Sequence, residues 1–79
     1  PESILGRVMY ALKEEALSKS ELAKALGQKA ISGKLNLRIR EMLSHALIEM
    51  TIPEKPNSRL QKYRLTSKGR MRLETMERK

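Results

Sequence analysis

The sequence predicts a small α+β fold, mostly helical, and two observations carry that reading. First, Leu35, Ile39, Met42, Leu43, Ala46 and Leu47 recur at spacings of three and four, the period of one buried helix face. Second, past Ile48 the period shortens. Glu49-Met50-Thr51-Ile52 and Lys62-Tyr63-Arg64-Leu65-Thr66 read as paired strands around a tip rich in Pro, Asn and Ser. A helix feeding a two-stranded hairpin with a basic tip is the pattern of a winged helix-turn-helix. Its expected parts are a three-helix core, a β-hairpin wing and a C-terminal helix. Residues 1–79 read as a single such domain, excised from the C-terminus of a larger protein.

The elements follow in order. Residues 2–13 predict the first helix, with Ser3 as N-cap, Glu2 near its positive end and an apolar stripe of Ile4, Leu5, Val8, Met9 and Leu12. Leu17 is placed for a brief first strand. Ser20 is expected to cap the second helix, with Glu21 in its first turn and Leu22, Ala23 and Leu26 on its buried face. Gly27 suits the C-terminal stop because glycine adopts positive φ without penalty. Residues 28–33 then form a polar turn that Ile31 anchors inward. The third helix is expected from Ser32 or Gly33 to Ile48, and with the second it makes a helix-turn-helix. Thr51, Ile52, Tyr63 and Leu65 suit strands by shape, with Tyr63 and Leu65 inward and Lys62 and Arg64 outward. Pro53 and Pro56 stiffen the loop, Asn57-Ser58 makes its tip, and Gln61 is placed to secure its base. Thr66 or Ser67 caps a last helix over 67–77, which Met71, Leu73 and Met76 pack against the core.

Composition narrows the function. Seventy-nine residues allow one modest core and no large enclosed active site. There is no Cys, so disulfide and thiolate chemistry are excluded. No apolar run approaches the roughly 20 residues that span a bilayer, so no membrane partner is expected and the expected location is cytoplasmic. His45 is the single histidine and every acidic residue is Glu. Glu41 and His45 lie one turn apart, which suits a helical hydrogen bond or salt bridge. No catalytic residue, metal site or cofactor is predicted, and the domain is not expected to be an enzyme.

The formal charge is +8, from 17 Lys and Arg against 9 Glu. Most of the excess falls after residue 33, and a charge so concentrated favours a polyanion. Double-stranded DNA is the first partner. The helix at 34–48 fits a major groove, where Asn36, Arg38 and Arg40 would meet base edges and Lys34 a phosphate. Lys29, Ser32 and Gly33 precede that helix and are placed for backbone contacts, helped by its free N-terminal amides. In the wing at 52–62, Lys55, Arg59 and Lys62, with Arg64 beside them, would touch phosphates or the neighbouring minor groove. The alternative is a protein-interaction or dimerisation module. Leu5, Met9, Met71 and Met76 on the first and last helices are its candidate self-association residues, with a homodimer or the rest of the parent protein as partner.

A family resemblance adds to this reading. Residues 47–69, LIEMTIPEKPNSRLQKYRLTSKG, with Leu26-Gly27 and Ser32-Gly33 before them, resemble a C-terminal winged-helix segment of certain bacterial proteins. These are ATP-dependent DNA helicase-related proteins and transcriptional regulators with an AlbA-like divergent AAA ATPase region. The stretch is similar as well to the C-terminal domains of some Fic-family proteins. The resemblance covers approximately residues 18–70. It implies a small module at the end of a larger regulatory or nucleotide-handling protein. The catalytic motifs of those proteins are not in this sequence, so no helicase, ATPase or AMP-transfer activity is carried over to it.

Overall fold

A computed structural model describes residues 4–78. Its elements run α1 (Ile4–Ala11), α2 (Lys19–Ala25), α3 (Gly33–Ser44), β1 (Ile48–Met50), β2 (Tyr63–Leu65) and α4 (Ser67–Glu77). The fold is a small, mostly helical α+β arrangement, and none of the described helices is long and apolar enough to cross a membrane. β1 and β2 pair antiparallel, with Ile48 opposite Leu65, Glu49 opposite Arg64 and Met50 opposite Tyr63. On its other side Tyr63 exchanges two backbone bonds with Leu17, at 2.8 and 3.0 Å, so the expected first strand is a single bridge. Tyr63 and Leu65 face the core and Arg64 faces water, as the alternation requires.

One apolar core joins Val8 and Met9 of α1, and Leu12 just past its end, to Leu22, to Leu35, Ile39 and Met42, and to Leu73. Two polar bonds tie α1 and the turn after it to their neighbours. The Arg7 guanidinium donates to the Leu26 carbonyl at 3.0 Å, and the Arg70 guanidinium donates to the Lys13 carbonyl at 3.0 Å. The expected Ser3 cap and Glu2 lie outside the described residues.

The helix starts are set by short polar side chains. α2 is capped by Ser18, two residues before the expected Ser20. Glu21 N–H donates to Ser18 Oγ at 3.2 Å, and Ser18 N–H donates to Glu21 Oε1 at 2.8 Å. That reciprocal box satisfies two orphan amides at once, which a cap at Ser20 would not do. The Ser18 amide holds the Glu21 carboxyl below its ordinary range. This contribution is present above the unfolded carboxylate range and fades as pH falls through the lowered value. Ser32 caps α3 through Leu35 N–H at 3.0 Å, and Thr66 caps α4 through Gly69 N–H at 3.0 Å.

The ends of α2 and α3 share one geometry. After α2, Gly27 takes φ +78°, Gln28 N–H donates to Ala23 O and Gly27 N–H donates to Lys24 O. After α3, Ala46 takes φ +59°, Leu47 N–H donates to Met42 O and Ala46 N–H donates to Leu43 O. Both are Schellman closures, the first with glycine and the second with alanine at the left-handed position. The third helix therefore stops at Ser44 rather than at Ile48. Ala46 is turned to solvent, and Leu47 reaches the core from beyond the helix. The reversal is needed because Ile48 must already lie in the strand that pairs with Leu65.

The chain crosses itself just after that reversal. Thr66 N–H donates to Leu47 O at 3.1 Å, and the Thr66 hydroxyl donates to Ala46 O. Gly69 lies against the same place. A Cβ built there would collide with Leu47 O and sit 3.1 Å from Leu65 Cδ2. Only a residue without a side chain lets α4 pass so close to a backbone carbonyl.

The strands are shorter than expected, because Thr51 and Ile52 leave the ladder and enter a wound loop over 51–62. Thr51 N–H still reaches Lys62 O at 2.9 Å. Beyond it come three successive turns: Lys55 N–H to Ile52 O, Ser58 N–H to Lys55 O and Gln61 N–H to Ser58 O. The Gln61 side chain binds them together. Its Oε1 accepts Ile52 N–H at 2.9 Å, and its Nε2 donates to Ile52 O and to Lys55 O. Gln61 is 4% exposed, and each polar atom of its amide is bonded.

Three stability outcomes are expected in denaturant titrations at constant slope. Gly69→Ala should lower the unfolding free energy by about 3 kcal/mol, because backbone has to move. Ala46→Gly should raise it by about 0.5–1 kcal/mol by relieving the left-handed alanine. Gln61→Ala should cost about 2 kcal/mol by orphaning Ile52 N–H, and should speed exchange of that amide relative to those of α3.

Candidate functional site

The outward side of α3 follows from its buried side. Leu35, Ile39 and Met42 face the core. At about 100° per residue, the opposite line runs through Gly33, Leu37, Arg40 and Ser44. Arg40 and Lys34 are exposed. Asn36 lies on the flank and is half-buried. Its Oδ1 is buried and accepts no hydrogen bond among the described residues, so Asn36 is not an outward-facing partner of Arg40. Leu37 occupies the centre of the line instead and is 50% exposed. A leucine in an amphipathic pattern reads as core, so the residues alone do not bring Leu37 forward.

The loop over 51–62 meets the α2–α3 side of the fold across a cleft of about 370 Å³. One wall carries Pro56, Asn57, Ser58 and Arg59. The other carries Ser18, Lys19, Ser20 and Ile31, with Gln61 and Tyr63 also lining the cleft. Burial pushes the Tyr63 phenol above its ordinary value, so it stays a neutral hydroxyl at this floor. Ile31, expected to anchor inward, is 39% exposed and lines the cleft opposite the loop. The residue before it is exposed as well, so the turn runs over the surface and leaves Ile31 no interior to enter. Lys19 and Ser20 belong to this surface and are not among the predicted residues. Their signal is the capping box, which places both at the start of α2.

The predicted cations divide into two groups. Lys29, Lys34, Arg40, Lys55 and Arg59 are exposed and have no ion-pair partner among the described residues. Arg38, Lys62 and Arg64 are partnered. Arg38 bonds Glu41 one turn on, which leaves the Glu41 carboxylate engaged with Arg38. Arg64 holds Glu49 at 2.6 Å directly across the hairpin register, and Lys62 lies 3.8 Å from Glu21. Arg64 therefore sits on the strand pair and not at the loop tip. The tip folds on itself, since Leu60 N–H donates to Ser58 Oγ at 3.0 Å, and Arg59 still reaches solvent. Ser32 spends its hydroxyl acceptor on the α3 cap, while Gly33 stands exposed in open space at the first turn.

The predicted self-association residues also separate. Met9 is fully buried in the core and offers no surface. Leu5 and Met76 are half-buried against that core. Met71, expected to pack inward, is 68% exposed, because Gly69, Leu73 and Met76 take the inward face of α4.

Residues 4–66 match the family described as filamentation induced by cAMP protein Fic-like, C-terminal domain. Among solved structures, the crystal structure of a Fic family protein from Desulfovibrio desulfuricans G20 is similar over 87% of this chain, at 30% sequence identity and a TM-score of 0.73. The shared part is 21% of that protein's chain, so the present chain spans about a fifth of its length. No curated protein matches the chain. Of the expected kinships, these matches carry the Fic-family one and not the helicase-related or AlbA-like one. On a match from the first described helix to the cap of the last, the chain belongs to the Fic-like C-terminal domain family.

Proposed function

We propose that this domain is a winged-helix, double-stranded DNA-binding module of a Fic-family protein. α3 enters the major groove, and the loop over 51–62 is the wing that follows the phosphate backbone. The reading of the fold as a winged helix draws support from the order of elements and from the Leu17–Tyr63 bridge, which adds a third short strand to the hairpin. The observation that carries the function is the distribution of unpaired positive charge. Lys29, Lys34 and Arg40 lie on α3 and the turn before it. Lys55 and Arg59 lie on a loop whose tip shares a cleft with that same turn. A duplex seated on α3 would pass the loop tip, and the free cations would neutralise phosphates on the way. DNA as partner places the protein inside the cell, and the cytoplasm is the location we propose.

Fluorescence anisotropy with a random-sequence duplex pool tests this. Affinity should fall steeply between about 50 and 200 mM salt. Arg40→Ala should relax the preference among selected sequences, while Lys62→Ala should weaken binding evenly across them. Arg64→Ala, whose partner is Glu49 on the strand pair, should leave binding within about twofold. An Arg40→Ala loss that is uniform across sequences removes the base-reading role. Binding that is indifferent to salt removes the phosphate role.

A second reading, self-association through α4, is favoured by one observation, the exposure of Met71. Light scattering separates the two. A mass that rises with concentration in the wild-type chain and stays at one chain in Met71→Lys supports association through that face. A mass of one chain throughout rejects it.

A further inference from the structure

We propose that Leu37 reads the C5-methyl group of a thymine in the major groove, which makes it a specificity-determining residue of this interface. The inference rests on the DNA-binding reading above and adds a base preference to it. An exposed leucine alone carries no information, since single apolar side chains are common on protein surfaces. The position of this one does. Leu37 lies at the centre of the outward line of α3, with Lys34 and Arg40 three residues to either side and both free of ion pairs among the described residues. The residue one turn earlier on the same line lies four places before it. That residue is Gly33, and a Cβ built on it would meet nothing within 4 Å. Position 33 carries no side chain that could cover the leucine, and Leu37 is 50% exposed.

The occupant follows from chemistry. The surrounding cations select a polyanion, and a duplex seated on this face brings base edges to the middle of the helix. Leu37 has neither donor nor acceptor. Opposite the polar edge of guanine, adenine or cytosine it would strip water from groups it cannot bond. Thymine alone presents a methyl group in the major groove, and burying a methyl against an isobutyl group gains about fourfold in affinity. Arg40 and Lys34 then supply the polar and phosphate contacts on either side.

The test starts without a known target sequence. The 79-residue chain is used to select duplexes from a pool of random duplexes about two helical turns long, and the enriched duplex is resynthesised with deoxyuridine in place of each thymine in turn. Uracil keeps every hydrogen-bonding group and removes only the methyl. The wild-type chain should lose about fourfold at one position or at one position per half-site. Leu37→Ala should bind the thymine and uracil duplexes equally there. Alanine is a strong helix former at an exposed position, so this variant should keep the wild-type circular dichroism. Equal binding of both duplexes by the wild-type chain overturns the proposal, as does a uracil penalty that persists in Leu37→Ala. In both cases the DNA-binding reading stands. A chain that enriches and binds no duplex at low salt overturns both.

Discussion

The crossing of residues 46 and 47 with Thr66 and Gly69 fixes the geometry on which the remainder of this domain rests. α3 ends there, β1 begins there, β2 ends there and α4 begins there. Thr66 is bonded to Ala46 O and Leu47 O, and α4 approaches so closely that only glycine fits at position 69. The consequence reaches well beyond the contact itself. The angle at which the hairpin leaves α3 determines whether the loop over 51–62 stands beside the outward face of that helix or behind it. A left-handed alanine at position 46 is tolerated because it makes this turn, with both closing hydrogen bonds formed. Strain at one residue is offset by the packing of Leu47 and Ile48 into the core.

Gln61 then converts a long connection into an ordered body. A flexible loop would forfeit side-chain and backbone entropy on meeting any partner. Here much of that ordering is already done by three turns and by one amide that bonds Ile52 and Lys55. The proline residues add to it by restricting the unfolded chain. What the loop exposes is consequently held in place: Lys55 and Arg59 at the surface, and Leu60, which is 76% exposed while its N–H is bonded to Ser58. Burying a glutamine inside a surface loop is costly unless each of its polar atoms finds a partner, and here each does.

How far this could be read from residues alone depends on the kind of signal. Periodicity carried the core face of α3 and the inward pair Tyr63 and Leu65, because apolar spacing is a property of the whole element. Gly27 announced the end of α2, since glycine is the usual left-handed closure. Ala46 made the same turn at the end of α3 and gave no warning. Its composition is that of a good helix former, and the constraint lies in the strand pairing of Ile48. The α2 cap is legible in Ser18-Lys19-Ser20-Glu21 once the three-residue spacing of Ser18 and Glu21 is weighed, whereas Ser20 has no acidic partner three residues on. Ion pairs were the least legible. Arg64 and Glu49 meet only once the hairpin register is known, and Lys62 meets Glu21 only in three dimensions. Of the candidate site, charge and placement on α3 and the loop could be anticipated, while the half-burial of Asn36 and the central place of Leu37 required the helix to be oriented against its core.

The partition of the cations into free and paired also bears on what the surface can do. Exposed ion pairs contribute about 0–1 kcal/mol each, so the Glu partners of Arg38 and Lys62 do not remove those side chains from play. A phosphate oxygen competes with a single exposed carboxylate on nearly even terms, and a duplex offers many phosphates at fixed spacing. The pairs instead set a threshold. A lone acidic side chain on another protein gains little by displacing Glu41 or Glu21, whereas a dense, regular polyanion gains at several positions at once. On the proposed DNA-binding reading, the unpaired group of Lys29, Lys34, Arg40, Lys55 and Arg59 would make the first contacts, and Arg38 and Lys62 would add to them as the ligand settles. On that reading, a surface built this way would discriminate by charge density before any base edge is read, and it would leave sequence preference to the few side chains on the outward line of α3.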